Sequence, residues 1–501
     1  MGVFQKISRE VELIGGLRRT LKALGEVSRD SADTVGDDLE RAVDRFADNI
    51  AFEFEGAKLT YAQFDALANR YARWARAQGL ARGECVALFM NNRPEFVAAW
   101  MGLAKVGVAT ALINNTQTGK ALAHSIEIAE ARCLILGAEL AEAYHAVSDQ
   151  LSNAPAVWAT GGPVQGAQDL DERLRTFPGE RIPREEARPG LSGADMALYV
   201  YTSGTTGLPK AAKMPHWRCV TMMRAFPAAG AANEQDRVYL TLPLYHAPGG
   251  LCGVGFALNA GGTVLLRRKF SATHFWPDVR EQKATVFFYI GELCRYLVSQ
   301  PPHPEDGQHG LRVAVGNGLR PEVWERFQPR FKIPKVLEFY GSTEGNVSMM
   351  NYDGKIGAIG RIPFYLRNRF NIRLVKFDIE REEPVRGSDG LCVECEPGEP
   401  GEALGEIKSD DVRFRFGFTF DQCIPRQQVT GVAAVNHHWW KGIGWKLGPG
   451  VVALLGDSAG VVEVRLREPR RVRLLGIPWR YQRLRVSLQD PEAFINELRV
   501  T

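Results

Sequence analysis

From residue 50 onward, short runs of consecutive apolar residues alternate with stretches whose apolar positions recur every three or four residues. CVALFM (85–90), ATALI (109–113) and CLILG (133–137) are continuous apolar runs of strand length, and they predict buried strands. PEFVAAWMGLAKVG has helical spacing, with Asn92 placed to cap it and Pro94 in its first turn. The Gly-, Pro- and Gln-rich text near 154–190 predicts a loop. The alternation restarts with MALYV (196–200), TVLLR (263–267), TVFFYI (285–290), LRVAVG (311–316) and VLEFY (336–340), with the helical patterns LCRYLVSQ and PEVWERFQPRF between them. Strands alternating with helices predict an α/β fold of parallel sheets covered on both faces.

Two other stretches depart from this rhythm. Residues 238–266 carry no Asp, Glu, Lys or Arg, yet Pro243, Pro248 and the glycine pairs 249–250 and 261–262 argue against a membrane span. They predict strand, loop, buried helix, strand. Before residue 30, Phe4, Ile7, Val11, Ile14, Leu17, Leu21 and Leu24 fall on one helical face, flanked by Lys6, Arg9, Arg18, Arg19 and Lys22. A basic amphipathic helix of this kind either docks on the protein's own core or makes peripheral contact with an anionic membrane. The text lacks the apolar stretch of a secretory signal, and Lys6 stands where a myristoylation motif has Ser or Thr.

Composition narrows the function classes. The chain has 501 residues, 45% of them hydrophobic, enough for more than one domain. A net charge of +4, evenly spread, argues against nucleic acid as a partner. Eight cysteines in so long a chain make no disulfide framework and suit a reduced, cytoplasmic compartment. Cys392 and Cys395 form a lone CxxC without the further ligands that zinc needs.

The chemistry concentrates in loops that follow predicted strands. YTSGTTGLPKAAK (201–213) joins the hydroxyls of Thr202, Ser203, Thr205 and Thr206 to Gly204, Gly207 and Lys210. Glycines let backbone N–H groups approach an anion, so this loop suits a polyphosphate. It is not a Walker A loop, because Pro209 precedes Lys210 and Ala211 follows it. In YGSTEG (340–345), Tyr340 is fit to bound a base beside Gly341, Ser342 and Thr343, and Glu344 to hold Mg²⁺ through oxygen. Gly316, Asn317 and Gly318 offer an amide for a base edge and room for a flat ring. Gly291-Glu292 follows another strand. Ligands of open parallel sheets bind beyond the carboxyl ends of the strands, where all four loops are expected. Blander readings stand beside these: a half-buried structural His246, a solvated Lys210, a simple helix cap at Gly291-Glu292.

YTSGTTGLPKAAK, PLYHAPGG, GNGLRPEVWERF and EFYGSTEGN together resemble the signatures of AMP-forming adenylating enzymes. YIGELCRYL (289–297), NGLRPEVWERFQPRF and IGRIPF (359–364) are similar to the fatty-acid transport protein, or very-long-chain acyl-CoA synthetase, branch. The resemblance runs from near residue 40 to 412 and implies a large adenylation domain of parallel-sheet subdomains over 31–412, behind an amphipathic helix within 1–30. It implies that a long or very long chain fatty acid is activated by ATP with Mg²⁺, then passed to coenzyme A. By the same resemblance, Thr202–Lys210 hold the β- and γ-phosphates, with Thr205 and Glu344 at the metal. Gly316–Gly318 and Tyr340 surround adenine, and Thr343 touches the α-phosphate. His246 walls the acyl site, with Gly291 and Glu292 on the substrate side. Localisation would be cytoplasmic or peripheral on the inner face of the membrane.

Past GEIKSDDVRFRF the resemblance stops. The family's small C-terminal domain, with its ribose-binding Asp and its late lysine, is absent or unrecognisable in 413–501. That tail holds twelve Arg and two Lys. A shift of reading frame, a divergent C-terminal domain and a replacement segment are all open readings of it, the first favoured by the arginine bias.

Overall fold

The computed structural model describes residues 3–501 except 203–207, 344, 364–369, 371, 382, 397, 406–410, 417–419, 426–427, 436–443, 449, 456–460, 475–476, 488–490, 493–494 and 496–501. The chain divides into two compact units, Met1–Leu404 and Gly405–Thr501.

The first unit holds two large sheets. Their strands, in chain order, are β1 (Ile50–Phe54), β2 (Ala57–Thr60), β3 (Cys85–Phe89), β4 (Ala109–Leu112), β5 (Cys133–Gly137), β6 (Ala156–Thr160), β7 (Gln168–Asp169) and β8 (Met196–Thr202). There follow β9 (Lys210–Pro215), β10 (Arg237–Leu240), β11 (Thr263–Leu266), β12 (Val286–Ile290), β13 (Val313–Asn317), β14 (Lys335–Gly341) and β15 (Ser348–Met350). One sheet runs β7-β6-β5-β3-β4-β8-β9 and the other β15-β14-β13-β12-β10-β11-β1-β2. Pairing is parallel through the interior of both, and antiparallel only at β8–β9, β14–β15 and β1–β2. The apolar runs become strands because both faces are covered: every residue of β3, β4, β5 and β11 is buried.

Three sequence expectations need correction. The text near 154–190 is not one loop; it contains β6, β7 and the short helices Leu170–Arg175 and Arg184–Ala187. Asp169 caps the first of these by accepting from Glu172 N. Asn92 is not the cap of helix Pro94–Ala104; Arg93 holds that position. The Asn92 amide is instead a clamp between the sheets. Its Nδ2 donates to Leu242 O (2.9 Å) and Arg267 O (3.1 Å), and its Oδ1 accepts from Leu244 N (2.9 Å). A buried amide satisfied on both sides outweighs a solvent-side cap.

The third correction concerns helix α1, Val3–Leu24. Its apolar positions form two adjoining stripes, not one face. Leu13, Gly16 and Thr20 are buried against the first unit, with Leu17 and Leu24 partly so. Ile7, Val11, Ile14 and Leu21 are each more than half exposed. Arg9 and Arg19 are tied inward, to Asp353 Oδ2 (2.7 Å) and Ala228 O (2.9 Å), while Arg18 and Lys22 stay exposed. The side chains of Phe4 and Lys6 lie outside the described residues.

The described residues of the second unit are mostly β strands, with helical turns at Gln428 and near residues 491–495. A hairpin, Asp411–Phe416 with Phe420–Pro425, precedes a five-stranded sheet. In spatial order the sheet is Val429–Ala434, Val461–Leu474, Ile477–Ser487, Gly450–Leu455 and Gly444–Gly448. Its own core contains Ile424, Val452, Val462, Val464, Leu466, Tyr481, Leu484 and Val486.

Candidate functional site

The strand ends of both sheets meet at one cavity of about 930 Å³. Thr202, at the end of β8, reaches it from one sheet. Ile290, Asn317 and the stretch Phe339–Thr343, at the ends of β12, β13 and β14, reach it from the other. The described ends of β8, β12, β13 and β14 therefore converge on one cavity built between two sheets, while Gly291 and Glu292 do not border it. A smaller cavity of about 480 Å³ lies against Asn317–Arg320, Glu338–Gly341 and Ile359.

The first loop is a hairpin connection. Thr202 pairs with Lys210, the first residue of β9. Ser203, Gly204, Thr205, Thr206 and Gly207 lie outside the described residues, as does Glu344. Around the hairpin, His124 Nε2 is 3.1 Å from Pro209 O and Tyr201 Oη donates to Ser125 O at 2.5 Å.

The loop after β13 is held by groups that the sequence reading passed over. Glu338 is buried in β14; it accepts from Leu319 N at 2.9 Å and from Tyr289 Oη at 2.5 Å. Burial pushes the Glu338 carboxyl above its ordinary range, and the Tyr289 hydroxyl, fully buried, also titrates well above its own. Gly318 takes φ +77°, and a Cβ on Gly291 would stand 1.8 Å from Gly318 O. Gly291 thus serves the loop by permitting close packing. Asn317 Oδ1 is buried and finds no partner among the described residues. It is a polar group awaiting a donor, since an unmatched buried acceptor is costly. Tyr340 is 44% exposed and borders both cavities.

The turn after β14 is fixed by Arg218, on helix His216–Ala229. Its Nη1 donates to Thr343 O and to Gly345 O, each at 2.9 Å. No spacing in the sequence marks this arginine. His246 follows the segment clamped by Asn92 and borders the large cavity. It is exposed at that cavity, yet desolvation still lowers its pKa below the ordinary value.

Glu292 does not border either cavity. It is exposed and paired with Arg295, whose Nε is 2.8 Å from Oε2, and that arginine holds its carboxyl below the ordinary range. Among the described residues no group of three His, Cys, Asp or Glu is placed to hold a metal, and Thr205 and Glu344 are not among them.

The remaining walls are mainly apolar. They include Leu13, Leu17, Leu21 and Leu24 of α1, Met222 and Phe226 of the next helix in, and Phe339 and Met350 of the sheet. The lining is thus mostly apolar, with polar side chains at the strand ends and at Thr20, Thr221, Asn346, Ser348 and Arg361.

Comparison with known proteins bears on this arrangement. Residues 39–404 match the AMP-binding enzyme family. The chain is 44% identical over 368 residues to the long-chain fatty acid transport protein 1 of Mus musculus, covering 72% of this chain and 56% of that one. It is 38% identical over 365 residues to the long-chain fatty acid transport protein 6 of Homo sapiens, covering 72% and 59%. The chain spans little more than half the length of these curated relatives. An anthranilate CoA ligase in complex with anthranoyl-AMP shares the fold at TM-score 0.61 and 20% identity, covering 73% of this chain and 70% of that one. A fatty acyl CoA synthetase of Mycobacterium tuberculosis does so at TM-score 0.56 and 22% identity, covering 72% and 68%.

Proposed function

The chain belongs to the AMP-binding enzyme family, and on that premise we propose that its first unit activates a long or very long chain fatty acid with ATP for transfer to coenzyme A. The observation that carries this reading is the two-sided cavity, with strand-end donors at one end and an apolar chamber in continuity with them. A fatty-acid carboxylate beside a polyphosphate, with its chain in hydrocarbon, needs that division.

The reaction follows from positioning and charge neutralisation. The carboxylate oxygen attacks the α-phosphorus and pyrophosphate leaves. The thiol sulfur of coenzyme A then attacks the acyl carbon and AMP leaves. Thr202, Ser203, Gly204, Thr205, Thr206, Gly207 and Lys210 would cradle the β- and γ-phosphates. Asn317 fits the base, because its unpartnered Oδ1 accepts an exocyclic amine hydrogen, with Gly318 and Tyr340 on either side. Thr343 would meet the α-phosphate, its backbone fixed by Arg218. Glu344 and Thr205 would hold Mg²⁺, which neutralises charge on the phosphates. His246 separates the nucleotide end from the acyl end, and the structure supports Gly291 as a packing residue of the base loop.

A second reading concerns the whole chain. The family match ends at residue 404, where the first compact unit also ends. The described residues beyond 404 are mostly strands, and a frame-shifted, divergent or replaced C-terminal region would each leave the first unit without the family's small domain. On this reading the chain binds nucleotide and fatty acid without completing turnover. Both are tested by giving the purified chain oleate or tetracosanoate with Mg·ATP and coenzyme A, and following acyl-adenylate, AMP and acyl-CoA by mass spectrometry. Acyl-CoA formation establishes the ligase. Nucleotide protection against heat without acyl-CoA establishes the binding protein, and neither outcome sinks both readings.

The outer stripe of α1, with Arg18 and Lys22 beside Ile7, Val11, Ile14 and Leu21, supports peripheral contact with an anionic bilayer from the cytoplasmic side. No described helix is long and apolar enough to cross a membrane. Co-sedimentation with phosphatidylserine vesicles, lost in Val11→Glu/Ile14→Glu, is the expected result; equal sedimentation of the variant overturns it.

A further inference from the structure

We propose that α1 is the outer wall of the acyl chamber, that Leu21 stands at its mouth, and that this wall sets the length of chain the protein holds. The inference rests on the acyl reading of the chamber given above.

Leu13, Leu17 and Leu24 line the chamber from the inner stripe of α1, with Met222 and Phe226 also among its walls. The polar loops enter the same cavity from the strand ends, and α1 adds to that lining only Thr20 besides its leucines. The Thr20 hydroxyl is already engaged by Tyr352 Oη at 3.0 Å. The surface α1 contributes to the chamber is therefore mainly hydrocarbon, while Arg361, which lines the same cavity, is held by Glu10. Leu21 lines the cavity and is also more than half exposed. A side chain that is wall on one side and surface on the other marks an opening.

The wall is fastened along its length by polar links to elements that themselves line the chamber or adjoin its lining. Arg9 Nη2 meets Asp353 Oδ2 at 2.7 Å, and Glu10 Oε1 accepts from Arg361 Nη1 at 2.6 Å. Arg19 Nε donates to Ala228 O at 2.9 Å. Gly16 lets the helix lie flush: a Cβ there would come within 2.3 Å of the Tyr352 ring. Bulk added on the inner stripe must therefore either fill the chamber or lift the wall, because interiors have little spare volume. Arg361 and Tyr352 belong to the stretch just before residue 364, so the seat of α1 and the walls of the chamber share residues.

The test uses the full chain and a fluorescent fatty-acid probe, displaced by saturated acids from octanoate to tetracosanoate. For the wild type, affinity should rise with length to a limit. Leu17→Trp should lower that limit, with acids beyond it losing about fourfold in affinity for each methylene excluded, the equivalent of about 0.8 kcal/mol. Leu21→Ala should leave the limit in place and speed release of the probe several-fold. An unchanged limit in Leu17→Trp, or an unchanged release rate in Leu21→Ala, overturns the proposal. If Leu17→Trp fails to fold by near-ultraviolet circular dichroism, the release rate of Leu21→Ala decides alone, since Leu21 is exposed. A wild type that displaces no probe sinks the acyl reading itself. Failure of the wall alone looks different, as a wild type with a length limit that both variants share.

Discussion

The two units make their sheets in opposite ways. In the first, the strands that carry the site run parallel with side chains buried on both faces, as in Val313–Gly316 of β13. In the second, Val461–Leu474 and Ile477–Ser487 pair antiparallel, with Val462, Val464, Leu484 and Val486 buried, Glu463 between the first two and Arg485 between the last two. Their register sets Arg465 opposite Arg483 and Arg471 opposite Arg480. A sheet covered on both faces fixes the ends of its strands, and hence the loops beyond them, to within a side chain's reach. In an antiparallel pair of this kind, like charges directly opposite work against its pairing. The difference teaches where a converging site can be built, and every bordering residue of the large cavity belongs to the first unit.

The strongest way to break this contrast is a cavity in the doubly covered sheet. Phe288 in β12 is fully buried, its ring 5.6 Å from that of Phe256 and 6.3 Å from that of Phe226. Phe288→Ala should destabilise the first unit by about 3–5 kcal/mol. Hydrogen exchange followed by mass spectrometry should show protection lost across β10–β14 and kept in Val461–Leu466. Loss in both units together would mean that they unfold as one.

Acid should then separate the units by pH. His216 is buried, and desolvation, the largest influence, lowers its pKa to about 4 from 6.5. Asp195 and Asp37 pull it upward, and Arg188 and Arg82 downward. Its Nδ1 accepts from Val35 N at 3.3 Å, which only the neutral ring can do. Because the folded state takes up this proton less readily than the unfolded one, stability is full above about pH 6.5 and falls as pH drops toward 4. In the second unit, burial alone would raise Glu463, but hydrogen bonds and charge from Arg485 and Arg465 outweigh it and lower its pKa. That contribution is present above the ordinary carboxylate pKa and is lost only below it. Denaturant melts between pH 7 and 4 should therefore weaken the first unit first, and His216→Gln should flatten the slope. An identical pH profile in the variant would refute this assignment.

What could be read from the sequence follows the same physics. Continuous apolar runs gave β3, β5 and β12 to within a residue or two, because a strand buried on both faces has no polar positions to confuse with a loop. The glycine- and hydroxyl-rich segments after β8, β13 and β14 were visible because donors and glycines cluster there in the chain itself. Arg218 and Glu338 were not visible, and Asn92 was visible only as a helix cap, not as the clamp it is. Each acts through two or three hydrogen bonds to residues distant in the chain or on a neighbouring strand or loop, and a single polar residue in an apolar context has no period. The apolar positions of α1 were legible, but the division between a docked stripe and an exposed one depends on what the helix meets, and no helical wheel contains that.

A smaller effect tests how the base loop is held. Glu338→Ala removes the acceptor for Leu319 N and for Tyr289 Oη, leaving buried donors that cost about 1–3 kcal/mol. Glu338→Gln keeps an acceptor for Leu319 N and turns its amide NH2 toward the Tyr289 hydroxyl, which can accept instead, and it should recover most of that loss. Chemical denaturation gives the stability, and titration with ATP should show the Ala variant weakened more than the Gln variant. Equal behaviour of the two would mean that the carboxylate's charge, not its acceptor geometry, holds the loop.

The smallest expected effect lies in the second unit. Arg483 is exposed and stands directly opposite Arg465, which also meets Glu463 through Nε at 3.1 Å. Arg483→Glu converts a like-charge pair into an opposite-charge pair on a wet face. It should stabilise that unit by about 0.2–1 kcal/mol at low salt and by less at high salt. The same change has no counterpart in β13 or β12, where the cross-strand partners Val313 and Val286 are buried and apolar, so a charge there would be unpaired in the core. A second unit indifferent to Arg483→Glu, at both salt concentrations, would show that its pairing is set by the buried Val462–Val486 face alone and that its arginines carry no weight in register.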